Sequence, residues 1–337
     1  MDTWILPVLL LLTSYCCHAV LACPHLCTCY FSTNTTQVVC SGPSVSHFPL
    51  VGLPGNTTLL SIENTNLSSI SAHHLEAVPF LQELHLSSNQ LSSLPENLLK
   101  GLTHLHTLDL TGNQLEHLPP GVFHHAPLQN LVLRDNLLHR AESSWLPVNS
   151  NLTTLNLAGN HLDTIPTALL QNLPQLKTLD LSQNRLEKIA AGTLSALSNL
   201  QRLHLEENKL NSIDPSAFHH NNKLTHLFLQ ENRLEKLPLG LLQGLHRLEV
   251  LTLNDNQLHF LPYGLLEKLP SLGASTGQGV DLSKNPWECK AKAAYLWKWL
   301  CANREVLFSP EDIQCRSPES LKGRPVLSLT EEEIQTE

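Results

Sequence analysis

Histidine and cysteine are the residues of this 337-residue chain best suited to metal binding or catalysis, and it contains 19 and 9 of them. Adjacent histidine pairs are candidate metal ligands, because imidazole nitrogen is a preferred zinc donor. The pairs are His73-His74, His124-His125 and His219-His220. The chain has no G-x-S-x-G, H-E-x-x-H, P-loop or C-x-x-C motif. We therefore expect no catalytic residues, no cofactor and no enzymatic activity.

Four cysteines crowd a short stretch near the N-terminus, with the spacing C-x3-C-x-C-x10-C. They are Cys23, Cys27, Cys29 and Cys40. Such a cluster indicates either two disulfides, for which the sequence allows three pairings, or a zinc site. Disulfides are favoured, because the chain has features of a secreted protein.

The N-terminal residues have the organisation of an export signal. Residues 5–12 form an apolar run, and the small-residue pattern at 20–22 precedes Cys23. We predict a secretory signal peptide over 1–22, with a buried N-terminal segment as the alternative. No other stretch approaches the roughly 20 apolar residues of a membrane helix, and the acidic end "LTEEEIQTE" is unlike a GPI-anchor tail.

The charge balance also bears on partners. The net charge is −9, and the chain has no basic runs. This balance disfavours nucleic acid and anionic membranes as partners. We expect a protein of the extracellular space that binds no nucleic acid and does not insert into membranes.

Four N-x-S/T sequons are candidate N-glycosylation sites in a secreted chain. They are Asn34, Asn56, Asn66 and Asn151. Asn34 and Asn56 are favoured, because irregular polar stretches surround them. The alternative for each sequon is an unmodified asparagine.

A 24-residue repeat organises most of the chain. Segments such as "LQELHLSSNQL" and "LHTLDLTGNQL" occur eight times at this spacing, with one step of 23. The copies begin at Leu81, Leu105, Leu128, Leu152, Leu176, Leu200, Leu224 and Leu248. They resemble the leucine-rich-repeat pattern L-x-x-L-x-L-x-x-N-x-L. A degenerate copy with Thr65 in the asparagine place precedes them, and a terminal copy ending at Asn285 follows.

The repeat predicts an α/β solenoid, a leucine-rich-repeat horseshoe with a parallel concave sheet. Each L-x-L segment should be a strand whose leucines point inward, and stacked turns should bury a core that none could bury alone. The repeated asparagines should bond backbone groups of neighbouring turns. They are Asn89, Asn113, Asn136, Asn160, Asn184, Asn208, Asn232, Asn256 and Asn285. The histidine pairs fall on return segments two and four turns apart, so they should not meet at one metal.

We divide the chain into the signal peptide (1–22), a cysteine-rich N-terminal cap (23–55), about ten repeats (56–285) and a C-terminal cap (286–337). The caps resemble those of secreted leucine-rich-repeat proteins. That resemblance implies the disulfides Cys23–Cys29, Cys27–Cys40 and Cys289–Cys315, with Trp287 covering the last turn. A helix is predicted over 290–303. Cys301 is the free-thiol candidate, either buried or paired with another chain or a small thiol.

The concave face should carry any partner-binding residues. Phe228 is predicted to be an exposed strand aromatic near arginine, a composition typical of binding hot spots. The candidates are Arg134, Arg202, His204, His226 and Phe228, and flanking positions add Glu206 and Gln230. The alternative is that these are ordinary solvated strand residues.

Several segments together resemble the leucine-rich alpha-2-glycoprotein family of secreted proteins. They are "LQELHLSSNQL", "LPPGVF", "ESSWL", the stretched last turn through "GASTGQG" and the C-terminal cap with one expected bridge. The resemblance implies a non-enzymatic plasma glycoprotein associated with the acute-phase response and angiogenesis. It also implies modulation of transforming growth factor beta signalling through endoglin and the transforming growth factor beta receptors, and binding of cytochrome c.

Two other extracellular roles remain open at this point. One is a soluble pattern-recognition module that binds microbial ligands. The other is a matrix protein of the small proteoglycan type, for which Ser41-Gly42 is the nearest glycosaminoglycan attachment candidate. It stands beside a cap cysteine and has no acidic run, which argues against that role.

Overall fold

The computed structural model describes residues 23–275 and 277–335, so the signal peptide predicted at 1–22 lies outside the described residues. Twelve of sixteen described strands form one sheet, ordered β1-β2-β3-β4-β5-β6-β7-β8-β10-β12-β13-β14. The strands are β1 (Cys27–Phe31), β2 (Thr36–Ser41), β3 (Leu59–Glu63), β4 (Glu83–His85), β5 (Thr107–Asp109), β6 (Asn130–Val132), β7 (Thr154–Asn156), β8 (Thr178–Asp180), β9 (Lys188–Ile189), β10 (Arg202–His204), β11 (Ser212–Ile213), β12 (His226–Phe228), β13 (Val250–Thr252), β14 (Val280–Asp281), β15 (Trp287–Glu288) and β16 (Cys315–Ser317).

The large sheet is parallel from β2 onward, and each strand pairs with the same position of the next turn. Leu84 of β4 pairs with Leu108 of β5, and Leu203 of β10 pairs with Leu227 of β12. Only the first strand, β1, runs antiparallel to its neighbour β2. The predicted solenoid with a parallel concave sheet is therefore confirmed.

One continuous hydrophobic core runs beneath the sheet. In each three-residue strand of the large sheet the central residue is a buried leucine, and a second leucine follows two positions later, as with Leu227 and Leu229. From the convex side, Phe123 and Phe218 fill the core and are fully buried. Each buried leucine contributes about 1.5–3 kcal/mol by transfer from water, and neighbouring turns share the surface that it covers.

The repeated asparagines form a buried hydrogen-bond ladder. Asn113 donates from Nδ2 to the backbone oxygens of Leu86 and Leu110, each at 3.0 Å, and its Oδ1 accepts from the Leu91 N–H at 3.0 Å. Equivalent bonds are made by Asn136, Asn160, Asn184, Asn208, Asn232, Asn256 and Asn285. Asn89 donates in the same way but accepts from the Thr65 hydroxyl. The predicted structural role is confirmed.

The return segments on the convex side are mostly turns. The described part of these segments contains two one-turn helices, α1 (Ala72–Leu75) and α2 (Thr167–Leu170), and a 3-10 turn at Ser143–Trp145. Strands β9 and β11 pair with each other there. Because these segments are short, each turn is thin and a 24-residue period suffices to return the chain to the next strand.

The N-terminal cap continues the sheet. Its hairpin β1–β2 carries the disulfides Cys23–Cys29 and Cys27–Cys40, which match the pairing implied by the cap resemblance. Strand β2 then pairs with β3 of the first turn over five residues. All four cysteines are therefore bonded to each other, and none is available as a thiolate ligand for zinc.

The C-terminal cap covers the last turn. Trp287 of β15 is fully buried, and its indole N–H donates to the Leu282 oxygen at 3.1 Å. Strand β15 pairs in parallel with β16, and the disulfide Cys289–Cys315 joins the two segments. Helix α3 (Ala294–Ala302) buries Leu296 and Leu300.

The helix predicted over 290–303 begins later than expected. A 3-10 turn at Ala291–Ala293 precedes α3, because Cys289 is held by its disulfide and the chain must turn tightly before the helix. Helix α4 (Glu331–Gln335) ends the described chain, and further 3-10 turns lie at Arg304–Val306, Pro310–Asp312 and Val326–Ser328. None of the described helices has the length and apolar character needed to cross a bilayer.

Candidate partner-binding face

The concave face is built from the outward residues of the parallel strands. In β12 the central Leu227 is buried, while His226 and Phe228 on either side are partly exposed. Parallel register aligns such residues in rows that cross the strands. The row through the third residues reads His85, Asp109, Val132, Asn156, Asp180, His204, Phe228, Thr252 and Asp281.

Four of the five predicted partner-binding residues come together on β10 and β12. Arg202 pairs with His226, and His204 pairs with Phe228. The His204 and Phe228 rings stack with centroids 4.4 Å apart, and the His226 ring lies 6.0 Å from Phe228. The prediction that Phe228 is exposed is wrong: it is partly buried, because His204 covers one face of its ring. Arg202, His204, His226 and Phe228 are called the strand cluster below.

Glu206 adds an acidic group beside the strand cluster. Its Oε1 lies 3.0 Å from Nδ1 of His204, and its side chain is 17% exposed. Its Oε2 is buried and has no hydrogen-bond partner among the described residues. A buried carboxylate oxygen without a donor costs free energy, so a donor supplied by another molecule would stabilise Glu206.

His226 is held in its neutral form. Burial lowers the pKa of His226 below its usual value, and the nearby charges of Arg202 and His204 add to this, while Glu249 opposes it. An imidazole with a lowered pKa is uncharged at neutral pH. Arg202 therefore supplies the permanent positive charge of the strand cluster, and His226 contributes an uncharged ring beside it.

Strand β8, on the N-terminal side of the strand cluster, carries one acidic side chain that is held by hydrogen bonds. Asp180 lies next to His204 in the register. Its Oδ2 accepts from Asn156 at 3.1 Å, and its Oδ1 accepts from the Ser182 hydroxyl at 2.7 Å. These bonds fix the carboxylate in place, so the strand cluster has a rigid negative neighbour.

The fifth predicted residue, Arg134, lies elsewhere. It follows β6, which is separated from β10 by β7 and β8, so three strand spacings of about 4.8 Å intervene. Its Nε lies 3.2 Å from Asp135, and the side chain is 47% exposed. Arg134 therefore does not belong to the strand cluster.

The histidine pairs stand on the convex side and have separate surroundings. His74 stacks on Phe48 with centroids 4.7 Å apart, and burial lowers its pKa. His73 lies 3.2 Å from Glu76 in an exposed pair. Across residues 23–275 and 277–335, no three histidine, cysteine or acidic residues are grouped so that they could hold a metal.

Cys301 is an exposed free thiol at the end of α3. The interpretation of Cys301 as a buried thiol is wrong, because Leu296, Trp299 and Leu300 occupy the inward stripe of the helix and position 301 falls outside it. Partial desolvation raises the pKa of the Cys301 thiol, and the charge of Arg304 opposes this. A raised pKa leaves the thiol protonated and slow to react at neutral pH.

Sequence reasoning missed a cavity of about 520 Å³ between the last turn and α3. Tyr263, Tyr295 and Trp299 line it together with Lys292 and Lys298. The Tyr263 and Tyr295 rings lie 5.3 Å apart. The i, i+4 spacing of Tyr295 and Trp299 was an available signal, but the approach of Tyr263 depends on how the cap docks.

Several known proteins resemble this chain. Residues 55–115, 79–128, 126–186, 174–234 and 223–274 match a family model described as leucine rich repeat, and 312–334 match one described as leucine rich repeat C-terminal domain. Phospholipase A2 inhibitor beta of Elaphe climacophora is 46% identical over 56 residues, and the phospholipase A2 inhibitor of Gloydius brevicaudus siniticus is 45% identical over 56. Each alignment spans 17% of this chain and 17% of the relative.

Solved structures extend the similarity over most of the chain. A chain of the octameric complex of Latrophilin 3, Unc5D and FLRT2 (LRR) is 25% identical with a TM-score of 0.74, covering 92% of this chain and 98% of its own. A chain of the mouse RP105/MD-1 complex is 27% identical with a TM-score of 0.69, covering 82% and 46%. A chain of the TLR13-ssRNA13 complex is 27% identical with a TM-score of 0.64, covering 74% and 39%. The repeat model spans residues 55–274, well over half of the 337 residues, so this chain belongs to the leucine-rich-repeat family.

Proposed function

We propose that the chain is a secreted, non-enzymatic binding protein that holds a protein partner on its concave face. The observation that carries this is the strand cluster with Glu206 beside it. Stacked rings offer apolar area in a fixed orientation, Arg202 offers a charge, and Glu206 Oε2 lacks a donor. Aromatic residues and arginine are enriched where binding energy concentrates.

The rigidity of the scaffold supports the same proposal. The asparagine ladder and the parallel register hold each strand to its neighbours, so the strand cluster needs little ordering when a partner docks. Preorganised surfaces lose less entropy on association. Two of the similar structures are chains of assemblies with other proteins, RP105 with MD-1 and FLRT2 with Latrophilin 3 and Unc5D.

We further propose the role of the leucine-rich alpha-2-glycoprotein family for this chain. Its partners would then include endoglin, the transforming growth factor beta receptors and cytochrome c, and its action would promote angiogenesis. The support is the combination of the repeat, the stretched last turn and a C-terminal cap with one disulfide. Soluble pattern recognition and a matrix role become less favoured for lack of a specific feature.

Inhibition of a phospholipase A2 is a second candidate function. Its support is the 45–46% identity over 56 residues with two phospholipase A2 inhibitors. Because this covers 17% of the chain, it leaves most of the concave face without a counterpart. Loss of phospholipase A2 turnover in the presence of the purified chain would support this candidate, and full turnover at micromolar chain would exclude it.

The test of the first proposal is capture of purified ectodomains of endoglin and the transforming growth factor beta receptors, and of cytochrome c, by the immobilised chain. The double variant Phe228→Ala, Arg202→Ala should weaken capture at least tenfold, because each hot-spot truncation costs about 2 kcal/mol or more. Val148→Ala, Arg140→Ala is the matched control, since both residues are exposed and outside the concave strands.

The melting temperature separates the outcomes of this test. The double variant should retain a cooperative transition, because the core leucines beneath the strand cluster are unchanged. Equal capture by the double variant and the control variant would place the binding surface elsewhere. Capture of none of the proteins by the unmodified chain would reject the proposed partners.

A further inference from the structure

One row of residues precedes the strands at the N-terminal end of the solenoid. The register pairs Gln37, Leu59, Glu83 and Thr107 across four neighbouring turns. Three residues before each of them stand Asn34, Asn56, Phe80 and His104, in the same order. Two sequon asparagines and two rings thus occupy equivalent positions of consecutive turns along one edge of the sheet.

These four residues line one cavity of about 310 Å³. The Phe80 side chain is 55% exposed, and its ring stacks on His104 with centroids 6.3 Å apart. Hydroxyl groups of Ser32 and Thr58 belong to the same lining. The cavity therefore combines an exposed aromatic surface with hydroxyl-bearing walls, which suits a ligand with an apolar C–H face and polar edges.

The side-chain amides of the sequons differ in their bonding. Asn34, Asn56 and Asn151 are exposed, and within the described residues their amides make no hydrogen bond. Asn66, in contrast, donates to the Pro43 oxygen at 2.9 Å and accepts from Gln90 at 3.0 Å. A sugar on Nδ2 would disturb the bonds of Asn66 but none at Asn34 or Asn56.

We propose that N-linked glycans on Asn34 and Asn56 occupy this cavity, and that the first N-acetylglucosamine on Asn56 packs its C–H face against Phe80. The inference rests on the proposed secretion, because attachment takes place on the secretory route. In the covalent step the amide nitrogen bonds to C1 of the sugar. The bond from C1 to a lipid-linked pyrophosphate breaks, and the amide proton leaves with that pyrophosphate.

The hydrogen bonds of the sequon threonines bear on whether glycans are attached before or after β2 pairs with β3. The Thr58 hydroxyl donates to the Thr36 oxygen at 3.1 Å and accepts from the Thr36 N–H at 3.2 Å. Thr36 is itself buried. Once β2 has paired with β3, Thr36 is buried and the Thr58 hydroxyl is bonded to the Thr36 backbone, so we expect attachment to precede that pairing.

Glycans in this row would also limit which surfaces a protein partner can contact. Sugars along the edge that precedes the strands cover Phe80, one of the exposed large apolar side chains of the described chain. Asn151 lies in the same row, three residues before Thr154 of β7. Glycans at three positions of one edge leave the concave face, with the strand cluster, as the open approach for a protein.

The experiment expresses the full chain in animal cells and compares Asn56→Gln with Asn151→Gln, each with and without Phe80→Ala. Glutamine substitution is chosen because changing Thr58 would break bonds in the fold. Asn56→Gln should lower the melting temperature by about 2 °C, and this shift should vanish when Phe80 is alanine. Asn151→Gln should show no such dependence, since no aromatic residue neighbours it in the row.

Trimming every glycan to one N-acetylglucosamine should preserve the melting temperature, because the first sugar makes the contact. Peptide mass spectrometry reports occupancy. Glycans on Asn151 but not Asn56, or an equal shift with and without Phe80, would overturn the inference and leave secretion intact. Failure of export would overturn both. Failure of partner capture by the glycosylated chain would count only against the binding proposal.

Discussion

Each end of the solenoid would expose the hydrophobic core, and the two caps cover it in different ways. The N-terminal cap extends the sheet, because β2 pairs with β3 over five residues and β1 adds a further strand. The C-terminal cap meets the last strand at an isolated β-bridge between Val280 and Leu307. Its own strands β15 and β16 form a separate pair.

The two caps also differ in the apolar side chains that they place over the core. The C-terminal cap places the fully buried Trp287, Leu296 and Leu300 over the open core. The N-terminal cap buries Val38, Val45 and one aromatic residue, Phe48, and it also carries two disulfides in a hairpin. A front end can begin a hydrogen-bond ladder, whereas a back end that ends the ladder must cover the core with apolar area.

The largest expected effect is at the C-terminal cap. Trp287→Ala should lower the free energy of unfolding by about 3–5 kcal/mol, the usual cost of truncating a buried tryptophan. It also leaves the Leu282 oxygen without the indole donor. Urea denaturation followed by circular dichroism measures the change.

Trp297→Ala is the matched control in the same cap. Its indole N–H also donates to a backbone oxygen, that of Leu329 at 3.0 Å, but the side chain is only partly buried. It should therefore cost less than Trp287→Ala. Equal losses for the two variants would show that the cap is not a lid held by burial.

The disulfides give the next effect and compare the caps directly. Cys289–Cys315 closes a sequence separation of 26 residues, and Cys23–Cys29 one of 6. By chain entropy, replacing the first pair with serine should cost about 3.5 kcal/mol and replacing the second about 2 kcal/mol. A larger loss at the N-terminal pair would mean that the hairpin, and not loop closure, sets the stabilisation.

Cys301→Ser is the control for both disulfide variants. Because Cys301 is exposed, its replacement should change the free energy of unfolding by no more than about 0.5 kcal/mol. Labelling of the chain from Cys23 onward under denaturing, non-reducing conditions should find one thiol, and none in Cys301→Ser. Zero or three thiols in the unmodified chain would contradict the disulfide assignment.

Much of this fold follows from periodicity alone. The 24-residue repeat fixes which leucines face inward, and the asparagine three positions after the second strand leucine must satisfy the turn, as Asn113 does. The exposure of Cys301 is also predictable from the sequence, because position 301 lies off the inward i, i+3, i+4 stripe of α3. The helix start is not, since it depends on the Cys289 disulfide.

The site is harder to derive from sequence. Periodicity identifies Phe228 as an outward strand residue, but its partial burial depends on the ring of His204 from the preceding turn. The glycan row needed the strand register, because the step between Asn34 and Asn56 is 22 residues and not 24. A repeat pattern does not predict side-chain rotamers or irregular steps between turns, and both features of this site depend on them.

The smallest expected effect is a difference between the two caps in their loss of stability at low pH. Arg324 donates to Glu333 at 2.6 Å, and with the Thr330 N–H it lowers the pKa of Glu333 from 4.5 to about 2. A carboxylate with a lowered folded pKa stabilises the fold above its unfolded pKa. That stability is lost as the pH falls from about 4.5 to about 2. Residues 23–55 contain no aspartate or glutamate, so the N-terminal cap has no such dependence.

Hydrogen exchange across this pH range should therefore show α4 and its surroundings opening before the β1–β2 hairpin. The pair is solvent-exposed, which makes the effect modest. Glu333→Gln should raise the exchange rate of the same segment slightly at neutral pH and reduce its response to acid. Glu305→Gln is the control, because Glu305 has no ion-pair partner among the described residues. Simultaneous opening of both caps would mean that their unfolding at low pH is coupled through the solenoid and that the ends are not independent.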